Sequence, residues 1–184
     1  MTPLSQNHGW LGSPAGVLWP TTEPETISEQ QNPFIKFRSF LWSHKSAVEK
    51  GFTDKDFIRL VNRLDNSIGE VDGTGFSQTP FENCSDLSSA IGRTGDLWIK
   101  NETENVSGSH KARHLFGLAL HLEVDEVPLT TPLSIASCGN AALGAAVVAR
   151  AINRPLIVHV PVWADTSILD HLADLDADIR ICER

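Results

Sequence analysis

The sequence has little that would tie it to a nucleic acid, a membrane or an oxidising compartment. Basic residues are outnumbered, 15 Lys and Arg against 23 Asp and Glu, for a formal charge of −8. That balance argues against a phosphate backbone as main partner, and it leaves no polybasic stretch to hold the chain on an anionic membrane. No apolar run approaches the ~18 residues of a membrane-spanning helix. The first twenty residues, MTPLSQNHGWLGSPAGVLWP, have neither a basic start nor a long apolar core, so no secretion signal is expected. Three cysteines, Cys84, Cys138 and Cys182, are odd in number, widely spaced and without a Cys-x-x-Cys pair. They make neither a disulfide framework nor a structural zinc site. Without a secretion signal, the Asn-x-Ser/Thr tripeptides at Asn83, Asn101 and Asn105 read as chance matches. The expectation is a cytoplasmic protein with no nucleic-acid or membrane partner.

What is present is ordinary globular composition, 41% hydrophobic and 21% charged over 184 residues. That length suits one domain, or one and a fraction, at roughly 100–200 residues each. Residues 1–33 read as an irregular arm, with Pro3, Pro14, Pro20, Pro24 and Pro33 among Gly, Ser and Thr. Its Trp10, Leu18 and Trp19 imply that the arm lies against the body or a second subunit. Residues 34–78 read as helical. Thr53 with Asp54 and Asp56 forms a helix start, and Phe57, Val61, Leu64 and Ile68 follow at spacings that align one apolar face. Phe34, Phe37, Phe40, Leu41 and Trp42 read as core or interface.

From residue 79 to 184 strands and helices alternate. Strands are expected at Leu97–Lys100, Leu133–Ser137, Leu156–Val160 and Ile179–Ile181. Helices are expected at His110–Glu123, with Leu115, Leu118, Ala119 and Leu122 inward, at Ala141–Ile152 and at Ser167–Leu175. Asn153-Arg154-Pro155 stops the second of these. This order predicts an α/β fold, a parallel sheet with flanking helices built from βαβ units.

Two loops sit at strand-to-helix junctions, where ligands collect in parallel sheets. The first, Asn105 to Arg113, places Lys111 in the first turn of a helix. A cation there faces the positive end of the helix dipole, which favours the neutral amine that Schiff-base chemistry requires. An exposed lysine that merely flanks a helix has the same local sequence. The second loop, Ser134 to Ala142, combines helix-start amides with the Ser137 hydroxyl and the Asn140 amide, a nest suited to carboxylate or phosphate. An ordinary tight turn of small residues is the competing reading. The Gly139-to-Gly144 spacing is not a P-loop, since Ala145 and Ala146 stand where Lys and Ser/Thr belong, and no Gly-x-Gly-x-x-Gly occurs. His110, His114 and His121 lack the Glu and the third ligand of a zinc-protease site, so no metal is expected. Cys138 at a helix start has no assignable His partner for nucleophilic chemistry.

Together, three motifs resemble a known family. Lys100-Asn101-Glu102 followed by Asn105-x-Ser-Gly-Ser-His-Lys-x-Arg resembles the lysine-bearing motif of pyridoxal-phosphate enzymes of the tryptophan synthase β-like family, fold type II. Ser137-Cys138-Gly139-Asn140 resembles that family's Ser-x-Gly-Asn loop, and Thr79-Pro80-Phe81 is similar to its Thr-Pro-Leu. The resemblance implies pyridoxal 5′-phosphate as cofactor. It implies that Lys111 joins the cofactor aldehyde and then moves the substrate α-proton. Asn140 would bond the ring hydroxyl and His110 would lie near the phosphate. Ser137, Gly139, Asn140 and Ala141 would grip the carboxylate of a small amino-acid substrate. Asn140 resembles the threonine and serine dehydratases, which are lyases acting by β-elimination. The expected activity is such a lyase; threonine synthases, which perform a replacement, carry the same Asn and are the alternative, and His110 stands where dehydratases usually carry an aromatic residue.

The family's downstream Gly-rich phosphate loop and the residue meeting the pyridine nitrogen have no counterpart, since only Gly139 and Gly144 follow Ser137. The resemblance therefore implies the N-terminal portion of a longer enzyme, a homo-oligomer at full length and inactive as this chain alone. A non-catalytic module that binds an amino acid or a partner is the alternative.

Overall fold

The computed structural model describes residues 32–183. The arm expected over 1–33, with Trp10, Leu18 and Trp19, lies almost wholly outside the described residues. Three helices open the described part: α1 (Pro33–Lys36), α2 (Trp42–Glu49) and α3 (Asp54–Asp72). The Thr53 hydroxyl accepts from the Asp56 amide while the Asp56 carboxylate accepts from the Thr53 amide. That reciprocal pair satisfies two otherwise orphaned donors and explains where α3 begins. Its inward stripe is Phe57, Leu60, Val61, Leu64 and Ile68, the expected face with Leu60 added. Of the residues read as core or interface, Phe34 is buried, while Phe37, Phe40 and Trp42 are exposed.

A two-stranded antiparallel ribbon follows, β1 (Phe81–Asn83) against β2 (Trp98–Lys100), with α4 (Ser85–Ala90) between them. The strand expected near Leu97–Lys100 exists, but it does not join the parallel sheet. α4 is only six residues long and Gly92 turns the chain back at φ 71°. The short helix and reversal set β2 beside β1 in antiparallel register, where inter-strand bonds need no long crossover.

The rest is α/β. Helix α5 (Lys111–Val124) leads to β3 (Leu133–Ala136), α6 (Asn140–Ala151), β4 (Leu156–Pro161), α7 (Thr166–Asp174) and β5 (Asp178–Cys182). β3, β4 and β5 form a parallel sheet in that order. Helices α5, α6 and α7 end alike. Glu126, Asn153 and Asp176 take left-handed φ near 55°, and Val127, Arg154 and Ala177 donate back to Leu122, Ala149 and Leu172. These bonds satisfy carbonyls at each helix end and turn the chain towards the next strand.

One core joins α1–α3 to α5 and α6, centred on the aromatic cluster Phe34, Phe76 and Phe116, with ring centroids 4.7–5.2 Å apart. A second joins the sheet to α6 and α7 through Ala142, Ala146, Val158, Val160 and Leu172. Each fully buried Val, Leu or Phe contributes roughly 1.5–3 kcal/mol of apolar burial. Helix α5 turns inward Ala112, Phe116, Ala119, Leu120 and Val124, leaving Leu118 exposed. This corrects the expected inward set of Leu115, Leu118, Ala119 and Leu122, of which Ala119 alone is fully buried. The helix is apolar on two sides, and the aromatic cluster claims the side carrying Phe116.

Candidate active site

Lys111 is the first residue of α5, and its amide donates to the Ser109 hydroxyl at 3.3 Å. The loop before it is tightly determined. Asn105 is buried and its side-chain amide donates to the Ser109 carbonyl at 2.8 Å. Ser107 and Gly108 both take left-handed backbone, φ 56° and 66°. For a serine this conformation costs roughly 1–2 kcal/mol. The Ser107 amide donates to the Asp72 carboxylate at 3.0 Å, which ties the end of α3 to the lysine loop. Burial raises the Asp72 carboxyl above the usual carboxylate range, while this bond pulls it the other way.

A partly buried polar knot fastens the other motifs to α5. The Arg113 guanidinium bonds Glu102 at 2.8 Å, the Ser77 carbonyl at 3.0 Å and the Thr79 hydroxyl at 3.3 Å. Thr79 in turn donates to Glu102, and the Lys100 ammonium bonds the Thr79 carbonyl. Burial raises the Glu102 carboxyl, but bonds from Arg113 and Thr79 and the charges of Arg113 and Lys100 outweigh it and hold it below its ordinary range. Thr79, Glu102 and Arg113 come from three separate segments, so the knot fixes the position of the first turn of α5.

Helix α6 approaches that turn at Gly144. A Cβ there would lie 3.2 Å from the Ala112 amide nitrogen, the Leu115 side chain and the Ser107 hydroxyl. The absent side chain lets the first turns of α5 and α6 lie side by side. Lys111 and Ala141 consequently line one cavity of about 520 Å³ with Leu115, Leu118, Ser134 and Ile135, within the range of roughly 300–1,000 Å³ typical of small-ligand pockets. His110, Ser137, Gly139 and Asn140 are not among its lining residues. His110 sits just before α5 and is exposed, as is Asn140 at the start of α6, while Ser137 and Gly139 are half-buried. No side chain caps α6, so its first amides are available to an anion.

The donor set fits the aldehyde and carboxylate chemistry of a pyridoxal-phosphate site. An exposed primary amine lines the cavity, and an uncapped helix start stands beside it. The Asn105 side-chain oxygen and the Ser107 hydroxyl are buried without a hydrogen-bond partner, leaving unused polar capacity in the lysine loop. Gly144, the Glu102–Arg113 knot and Asp72 escape a reading by sequence pattern. Gly144 alone leaves a trace, as a glycine inside a helix of small residues. Among the described residues no three His, Cys, Asp or Glu side chains gather as a metal site, and no helix is long and apolar enough to cross a membrane.

Residues 74–184 match the sequence profile described as pyridoxal-phosphate dependent enzyme. No curated protein matches the chain. Among solved structures the chain is similar to a hydrogen sulfide-producing enzyme from Fusobacterium nucleatum, at 17% identity and TM-score 0.53, covering 64% of this chain and 38% of that one. It is similar to a pyridoxal 5′-phosphate-dependent aspartate racemase at 20% identity and TM-score 0.53, covering 67% and 37%. The serine racemase of Dictyostelium discoideum gives 20% identity and TM-score 0.51, covering 67% and 38%. These likenesses show a shared fold, and the chain spans less than two-fifths of each relative's length.

Proposed function

The chain belongs to the pyridoxal-phosphate dependent enzymes, and on that premise we propose that its residues form the lysine-bearing part of a lyase acting on a hydroxy amino acid by β-elimination. The observation that carries this reading is the Gly144 contact, which sets the first turn of α5, with Lys111, beside the start of α6. When bound, the cofactor supplies the electron sink for charge released at the substrate α-carbon.

Lys111 Nζ would hold the cofactor through its aldehyde, and its free amine would take the substrate α-proton. The first amides of α6 and the Ser137 hydroxyl bind the substrate carboxylate, favoured by the positive end of the helix. Asn140 would hold the ring hydroxyl of the cofactor and His110 would serve its phosphate end. The polar knot around Glu102 holds the first turn of α5, and with it Lys111, in place. The Ser137–Asn140 loop resembles the dehydratases and the threonine synthases alike, and elimination is the reaction proposed of the two. His110, in place of an aromatic residue, favours the second reading, replacement on a phosphorylated homoserine as in threonine synthases.

Incubation of the chain with pyridoxal phosphate, borohydride trapping and peptide mapping tests the site. Trapping is expected on Lys111 in preference to Lys36, Lys45, Lys50, Lys55 and Lys100, and to vanish in Lys111→Ala with the circular dichroism unchanged. Uniform labelling of all six lysines would refute the site. The protein purified from its source then separates the reactions. Elimination from serine or threonine releases keto acid and ammonia, whereas replacement on phosphohomoserine releases inorganic phosphate without ammonia.

A further inference from the structure

The parallel sheet is covered on one face only among the described residues. Alternate residues of a strand point to opposite faces, and Leu156, Val158 and Val160 of β4 are buried under α6 and α7. Ile157 and His159 point the other way, and they pair in register with Asp178 and Arg180 of β5. Cys182 lies two residues beyond Arg180 and so shares the face of His159 as its diagonal neighbour. Its sulfur stands 3.5 Å from His159 Nδ1, and it is exposed. The thiol also reaches the Arg180 carbonyl at 3.8 Å.

We propose that Cys182 and His159 form a reactive thiol–imidazole pair, a modification site at which Cys182 forms a mixed disulfide with a small-molecule disulfide. The His159 ring takes the thiol proton, and the Cys182 sulfur attacks one sulfur of the disulfide. A new S–S bond forms as the old one breaks, and the departing thiolate takes up a proton, returning His159 to its neutral form. No net oxidation of protein plus reagent occurs, because the disulfide supplies the oxidising equivalent. A thiolate rather than a thiol is the nucleophile, so a nearby imidazole that accepts the proton is what raises the rate. The other charged groups of this face do not compete for the sulfur. The Arg180 guanidinium is held by Asp178 at 2.9–3.1 Å.

Two internal controls exist in the same chain. Cys84 and Cys138 are half-buried, and among the described residues the Cys84 thiol meets the Glu82 carbonyl, at 3.9 Å. Cys182 has the same kind of carbonyl contact, so the His159 imidazole is what sets it apart from Cys84.

The full chain is treated with oxidised glutathione or an aromatic disulfide between neutral and mildly alkaline pH, and each cysteine is followed by mass spectrometry. Cys182 is expected to react several-fold faster than Cys84 and Cys138 at neutral pH. His159→Gln should slow the reaction of Cys182 several-fold while leaving Cys84 and Cys138 unchanged. Arg180→Gln should leave the fast reaction intact. Equal rates at the three cysteines, an unreactive Cys182, or a slowing by Arg180→Gln as large as that by His159→Gln would each overturn the pair. His159→Asn serves as a second variant if His159→Gln loses the native dichroism.

Discussion

Replacing Gly144 by alanine sets two measurable effects against each other. In an isolated helix the change favours folding by about 0.8–1 kcal/mol, because glycine is that much poorer than alanine in a helix interior. In this protein the new methyl meets three atoms at 3.2 Å. One of them cannot move away cheaply, because the Ala112 nitrogen belongs to the backbone of α5. The Ser107 backbone is held by its amide bond to Asp72, and its buried hydroxyl and the Leu115 methyl can yield only by changing rotamer. Overpacking of this kind costs roughly 1–3 kcal/mol, so Gly144→Ala is expected to destabilise by up to about 2 kcal/mol despite its better propensity. Gly144→Val adds two further methyls and is expected to cost more. Urea unfolding of the full chain, compared at constant slope, gives the values. The same variants should reduce trapping at Lys111, because α5 and α6 must separate. A Gly144→Ala chain more stable than the parent by the full propensity gain would refute the close contact and, with it, the juxtaposition on which the site rests.

Arg154 offers a second test. Its side chain is almost fully buried and bonds the carbonyls of Pro128 and Val127 at 2.7 and 2.6 Å, with Glu123 3.8 Å away. Arg154→Met should cost about 3–5 kcal/mol in denaturant unfolding, since it strands buried acceptors beside a carboxylate; a loss below about 1 kcal/mol would show that the clamp is dispensable. Glu102 sets an acid limit. Its folded pKa is lowered, so its stabilising contribution is present above the unfolded value, about 4.3 for Glu, and is lost as pH falls through the folded value. Glu102→Gln should flatten that part of the stability–pH curve, and an unchanged curve would count against the knot. Asp72 has the opposite sign, its folded pKa being raised by burial. Its contribution is full below the unfolded value and falls as pH rises through the folded one. Asp72→Asn keeps an acceptor for the Ser107 amide and should gain stability over the parent at neutral pH but not in acid.

The elements that could be read in advance are those with strong local signals. The start of α3 follows from Thr53 and Asp56, whose side chains need only three residues of separation to meet. Helix α6, strand β4 and their Asn153 stop are continuous apolar runs bounded by breakers, and they appear within a residue or two of expectation. The facing of α5 was not legible, because Leu115, Leu118 and Leu122 repeat as regularly as Phe116, Leu120 and Val124. The partner of β2 was not legible either, since a three-residue strand carries no signal for which strand it joins.

The candidate site divides in the same way. Lys111 at a helix start and the Ser137–Ala141 loop are local patterns, recognisable from residue types and spacing. What holds them in relation is not local. Glu102 meets Arg113 across 11 residues, Asp72 meets Ser107 across 35, and Gly144 lies against a turn more than thirty residues away.

The sequence by itself determined the longer helices, the βαβ order and the motifs of a pyridoxal-phosphate enzyme, because hydrophobic periodicity, capping and family motifs act over short stretches of chain. The tertiary structure alone decided which face of α5 enters the core, that β2 leaves the parallel sheet, and that α5 and α6 touch at Gly144. It also decided that His159 and Cys182 become neighbours across two strands. Those outcomes depend on where distant surfaces compete for burial and on the register of strands brought together through space, and no window of sequence contains both partners.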